Sequence, residues 1–218
     1  MIWPSSSKGT LSFKEAYLHH QICHTAHWAK HLWKNFIPPR VSTLVWKVLL
    51  NKVPSQANLQ RKGMIIASRC EICKSNSENV EHTFLLCPYA DVLWQWLWKT
   101  FRVCSPIPNN IHDLWMFIQN KKFSPQVFNI WISGCQICFH IIWDSRNNAI
   151  FDNARPKASR SIHHLKSWLI CIYSLIPGHM HNSINDLHRS SNLLALMVNT
   201  QFVPELLKSG GLLHTMTG

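Results

Sequence analysis

The chain has 218 residues, 46% of them hydrophobic, with 22 Lys and Arg against 10 Asp and Glu and a formal net charge of +12. That length and apolar content can bury a core in one domain or two small ones, which excludes ordinary disorder. Charged residues are only 15% and glycines only 7, so the positive balance reflects scarce acids, and a glycine-dependent nucleotide-binding enzyme is excluded as a first reading.

Residues 1–15 hold no apolar run of the secretory kind, so the chain is expected to be intracellular, nuclear or cytoplasmic, and not secreted. Its eight cysteines are then thiols or metal ligands rather than disulfides. Over 13–35, Leu18, Ile22, Ala26, Ala29 and Trp33 recur near helical period and predict a helix. His20, His24, His27 and His31 share its opposite face, which reads as a plain polar face. Pro38 and Pro39 close that helix and open the next. There Val41, Leu44, Val45, Val48 and Leu49 follow the i, i+3, i+4, i+7, i+8 pattern, with Arg40, Lys47 and Asn51 facing outward. Pro54 ends this helix, and 56–63 predicts a short one stopped by Gly63.

Beyond a cysteine-rich loop, Trp94, Leu97, Trp98 and Phe101 give a further apolar helix face. A short helix over 111–120, a long one over 125–151 and a last one over 159–176 follow, the last ended by Pro177 and Gly178. The stretch from Phe123 to Trp143 lacks charge over 21 residues, the length of a membrane span. Gln126, Asn129, Ser133, Gln136 and His140, continued by Asp144 and Asn147, nevertheless recur at steps of three and four. They predict a mostly buried amphipathic helix with one wet face, and no membrane partner. Cys135 and Cys138 lie on that helix at i, i+3 and read as core, and Cys23, Cys104 and Cys171 read as small hydrophobes. Exposed tryptophans would suit stacking on unpaired bases, but most of the eleven are assigned to helix packing, with Trp46 at the edge of its helix.

The sharpest motif is Cys70-Glu-Ile-Cys73, followed by His82 and Cys87. Two cysteines separated by two residues can turn both thiolates onto one ion, and His82 with Cys87 supplies the second pair. Three sulfurs and one imidazole complete a tetrahedral shell with no open position, the pattern of one structural Zn²⁺. The expected fold class is therefore mainly α, a helical domain built around one small zinc-binding loop. Basic charge concentrates in front of that loop: residues 1–69 hold ten bases and one acid, net +9, while 70–158 hold eight bases and seven acids, net +1.

The run from Phe36 to Lys47, with Pro38-Pro39 and Trp46, resembles the zinc-binding domain of plant reverse transcriptases from non-LTR, LINE-like retroelements. So do the turn Arg61-Lys62-Gly63, the pair Cys70 and Cys73, Glu78-x-x-x-His82, Cys87-Pro88, and Trp94. Phe13-Lys14-Glu15-Ala16-Tyr17 resembles the domain's entry, and the segment from Trp143 to Phe151 resembles the linker toward a ribonuclease H module. The resemblance implies a domain over 13–103, a helical extension over 104–177 and a weakly ordered tail over 178–218. It also implies a module orphaned from its polymerase and ribonuclease H neighbours. No carboxylate cluster able to hold two Mg²⁺ ions, nor any nucleophilic set, stands out, so no enzymatic activity is expected. The expected function is non-catalytic nucleic-acid binding, with RNA or single-stranded DNA contacted by Arg40, Lys47, Lys52, Arg61, Lys62 and Arg69. The alternative is a protein-interaction or relic domain docking on a reverse transcriptase or ribonuclease H module.

Overall fold

The computed structural model describes residues 27–176, together with Asn185, Asp186, His188, Arg189, Ser191 and Asn192. Over 27–176 the chain forms six α-helices: α1 (Pro39–Leu49), α2 (Gln56–Arg61), α3 (Pro88–Thr100), α4 (Ile111–Gln119), α5 (Pro125–Phe151) and α6 (Ala158–Tyr173). A 3₁₀ turn (His27–Ala29) and a π-helical turn (His82–Leu86) complete the list, and no strand occurs among the described residues. The fold is mainly helical, as the periodicity predicts.

Local chemistry explains the boundaries. Proline occupies the first turn of α1, α3 and α5, where its missing N–H has no intrahelical partner to lose. The Ser55 side chain accepts the Asn58 N–H at the start of α2, and Asn110 accepts the Asp113 N–H at the start of α4. Helix α2 ends in a Schellman motif: the Gly63 N–H donates to the Gln60 carbonyl and the Met64 N–H to that of Leu59. Gly63 there has φ +88°, a backbone region that disfavours side chains.

Helix α5 forms the centre, with α1, α3, α4 and α6 packed around it. Its residues 130–139 are all buried. At Gly134 an added Cβ would lie 3.2 Å from Leu169 and 3.3 Å from Leu97, so α3, α5 and α6 approach closely there. Aromatic rings fill the space between α3 and α5: Trp94 contacts Phe139, and Trp131 contacts both Trp98 and Phe101, at centroid distances of 5.0–5.2 Å. Buried indole N–H groups find acceptors, Trp94 the carbonyl of Phe84, Trp98 that of Ser105, Trp131 that of Ile118, and Trp168 the His164 Nε2. Tyr89 of α3 hydrogen-bonds both Ser145 of α5 and Ser161 of α6, joining three helices through one hydroxyl. No helix among the described residues is long and apolar enough to cross a membrane.

Two expectations fail in the segment before α1 and on the stripe of α5. The helix predicted over 13–35 is absent from its described part: only the 3₁₀ turn at His27–Ala29 is helical, and 30–37 runs as turns and extended chain. His20 and His24, like Phe13 to Tyr17, lie outside the described residues, as does most of 178–218. The polar stripe of α5 is also not wet along its middle, where Ser133 and Gln136 are fully buried, although Gln126, Asn129, His140, Asp144 and Asn147 stay partly exposed. The two failures share a cause. Gln136 donates to the His31 carbonyl (3.0 Å), and Trp115 and Gln119 of α4 both donate to the Trp28 carbonyl (2.6 and 2.8 Å). Side chains thus take up carbonyls that a helix would use internally, and the segment lies across the stripe. The last helix stops at Tyr173, short of 176. Cys104 is exposed rather than packed.

Candidate metal centre

The chain between α2 and α3 carries the metal-binding residues. Cys70 opens a tight turn: its N–H donates to the Asn76 carbonyl, and its carbonyl accepts the Lys74 N–H. Lys74 takes a left-handed conformation, φ +58°, to close that turn. The N–H groups of Cys73 and Ile72 point back at the Cys70 sulfur. On the other side, the Asn79 side chain accepts the His82 N–H, and the π-helical turn carries the chain from His82 to Cys87. The Cys87 N–H donates to the His82 carbonyl (2.7 Å), and Pro88 then starts α3.

These turns bring Cys70, Cys73, His82 and Cys87 together, with all four donor atoms within 4.8 Å of one another. Cys70 Sγ and Cys87 Sγ are 4.0 Å apart, and Cys73 Sγ is 3.3 Å from His82 Nε2. Sulfurs bound at about 2.3 Å to one tetrahedral ion lie about 3.8 Å apart, so the donor set and spacing fit Zn²⁺. Cys70, His82 and Cys87 are buried and Cys73 half-buried. The hydrogen bond from Cys87 lowers Cys70 to about 4, while that bond, burial and the neighbouring negative charge push Cys87 upward.

Beside the metal residues lies an ion pair that no motif announces as one. Glu78 is 0% exposed and Arg146 of α5 4%. Arg146 Nη2 donates to Glu78 Oε1 at 2.6 Å, and its Nε lies 3.2 Å from both carboxylate oxygens. Glu78 Oε1 also accepts the Gln56 N–H at the start of α2 (2.9 Å), where the helix dipole favours an anion. The guanidinium packs over the Trp143 ring at 4.7 Å and reaches the Pro54 carbonyl. Glu78 and Arg146 both fall in the motifs of the sequence, but 68 residues separate them, and only the fold shows their pairing.

All six predicted nucleic-acid residues are exposed. Arg40 and Lys47 project from α1, Lys52 lies in the turn after it, Arg61 and Lys62 end α2, and Arg69 directly precedes Cys70. None forms an ion pair with a described residue. The Arg40 guanidinium leans over Trp168 of α6, 5.8 Å from the ring centroid. Cys135 and Cys138 are fully buried, burial pushing both thiols well up, in keeping with packing roles.

Fold and site together define a helical domain carrying a zinc-type group of three cysteines and one histidine. Residues 11–94 match the family described as zinc-binding in reverse transcriptase. The match covers less than half of the chain and includes all four metal-binding residues. No curated protein and no solved structure matches the chain.

Proposed function

We propose that this chain is a non-catalytic nucleic-acid-binding module derived from a retroelement reverse transcriptase and held in shape by one structural zinc ion. A shell of four protein ligands with no open position suits a structural rather than a catalytic metal. One observation carries the binding reading: residues 27–70 hold eight bases and not one Asp or Glu, and seven of the eight bases are exposed. Such a surface attracts a polyanion, and neutralising phosphates releases condensed counterions.

Salt dependence tests this. Contact with four to six phosphates of single-stranded RNA predicts a log–log slope of about −3 to −4. Affinity of the zinc-loaded full chain should then fall about 50- to 300-fold from 50 to 200 mM salt. Equilibrium titration with labelled RNA measures it. Absent binding at low salt, or a flat response, would overturn the reading in favour of a protein-interaction domain.

A further inference from the structure

Packing accounts for Trp94, Trp98, Trp115 and Trp131, but Trp33 and Trp46 are 53% and 40% exposed. Trp46 lies on the outer strip of α1. There Arg40, Thr43, Trp46, Lys47 and Leu50 follow helical spacing on the side away from buried Val41, Val45 and Val48. Lys52 follows in the next turn. The Ser42 hydroxyl, one turn before Trp46, donates to the Leu32 carbonyl at 2.8 Å. That bond holds the Leu32 carbonyl, next in the chain to Trp33, against α1. Two indoles therefore face solvent in a stretch that holds eight bases and no carboxylate to neutralise them.

We infer that this strip is a stacking site for unpaired bases, and so selects single-stranded nucleic acid. Trp46 stacks one base, Trp33 offers a second exposed indole, and Lys47 and Lys52, with Arg40, take the flanking phosphates. The chemistry favours this occupant on two counts. An indole presents a π-face that any base can cover, whereas duplex bases already stack on each other and hide theirs. Cations beside the exposed aromatic rings add attraction for a phosphate backbone and oppose a purely apolar partner. The inference rests on the nucleic-acid reading above and narrows it to single strands read by stacking.

The test compares the zinc-loaded full chain with Trp46→Ala, Trp46→Phe, Trp33→Ala and Lys47→Ala, titrated against single-stranded oligouridylate and against a duplex of equal length. Loss of one aromatic–base stack predicts about 5- to 100-fold weaker single-strand binding for Trp46→Ala, with an unchanged salt slope. Trp46→Phe should recover most of that loss, and Trp33→Ala should show a smaller one. Lys47→Ala should instead make the salt slope shallower by about 0.7. Both tryptophans are exposed, so thermal melts of these variants should match the parent. If wild type binds but Trp46→Ala and Trp33→Ala bind single strands equally well, stacking is overturned and the electrostatic reading survives. Equal losses on single strand and duplex would also overturn it. If wild type binds neither, the nucleic-acid reading itself fails. A wild-type dimer that Trp46→Ala converts to monomer would show a second copy covering the strip, and would overturn the inference too.

Discussion

Glu78 brings a full negative charge to a place where water cannot reach it, and Arg146 answers it with three donor contacts. Removing one partner leaves the other charge buried and alone, which costs about 3–5 kcal/mol, more than the pair itself contributes. Glu78→Gln keeps the shape and the acceptor for the Gln56 N–H but strips the charge, so it isolates that penalty. We expect Glu78→Gln to lose about 3 kcal/mol or more in urea unfolding of the zinc-loaded protein. Replacing both residues with leucine should recover much of the loss, since no orphan charge remains. A Glu78→Gln protein within about 0.5 kcal/mol of the parent would show that water reaches the site after all. This pair marks a limit of sequence reading. The metal residues are legible because four of them fall within 18 positions and their types have one common use. Glu78 and Arg146 are ordinary charged residues far apart in sequence, and only tertiary packing gives them a shared role.

Among the helices, α5 was the most legible and yet was partly misread. Pro125 at its first turn and a repeat sustained over 27 residues predict its limits, and they are the observed ones. Its stripe of amides and hydroxyls also obeys helical spacing, but spacing cannot say whether water or another chain segment meets a polar face. Here the segment through His31 meets its middle, so Gln136 buries its amide against the His31 carbonyl while Asp144, nearer the end of the helix, stays partly exposed. That clamp makes an element-scale prediction. Gln119→Leu with Gln136→Leu removes one donor to the Trp28 carbonyl and the donor to the His31 carbonyl at nearly constant side-chain volume. Each bond contributes about 0.5–1.5 kcal/mol, so opening of the segment should become about tenfold easier. Limited trypsin digestion should then cut faster after Lys30 and Lys34, with the far-UV circular dichroism nearly unchanged. Global unfolding, or no change in cutting, would mean that the carbonyl contacts do not hold the segment in place.

At the scale of the whole molecule, the metal residues stand where three parts of the chain meet. Cys70 and Cys73 follow the basic helices α1 and α2, and His82 and Cys87 lead into α3 with its buried Trp94 and Trp98. Glu78, between the two pairs, ties the same loop to α5. A metal bound here therefore braces the basic surface against the core instead of pinning a peripheral loop. Cys70 and Cys87 lie 4.0 Å apart, where two thiolates would repel, and the hydrogen bond to Cys70 together with burial pushes the Cys87 thiol upward, so that thiol holds its proton until a metal displaces it. Zinc has to displace that proton, so calorimetry in buffers of different ionisation enthalpy should detect proton release on binding, and affinity should fall as pH falls. Apparent zinc-binding free energies of about 10–16 kcal/mol match or exceed the roughly 5–15 kcal/mol by which whole domains are stable. Chelation is therefore expected to abolish the near-ultraviolet dichroism of the packed indoles and lower helix content, with recovery on adding Zn²⁺. Cys73→Ser, which swaps one soft ligand at the least buried corner, should weaken zinc binding and lower the melting temperature without preventing folding in excess metal. A chelated protein with the same near-ultraviolet spectrum and melting temperature as the loaded one would show that the core stands without the metal, and the brace would then be no part of how this chain folds.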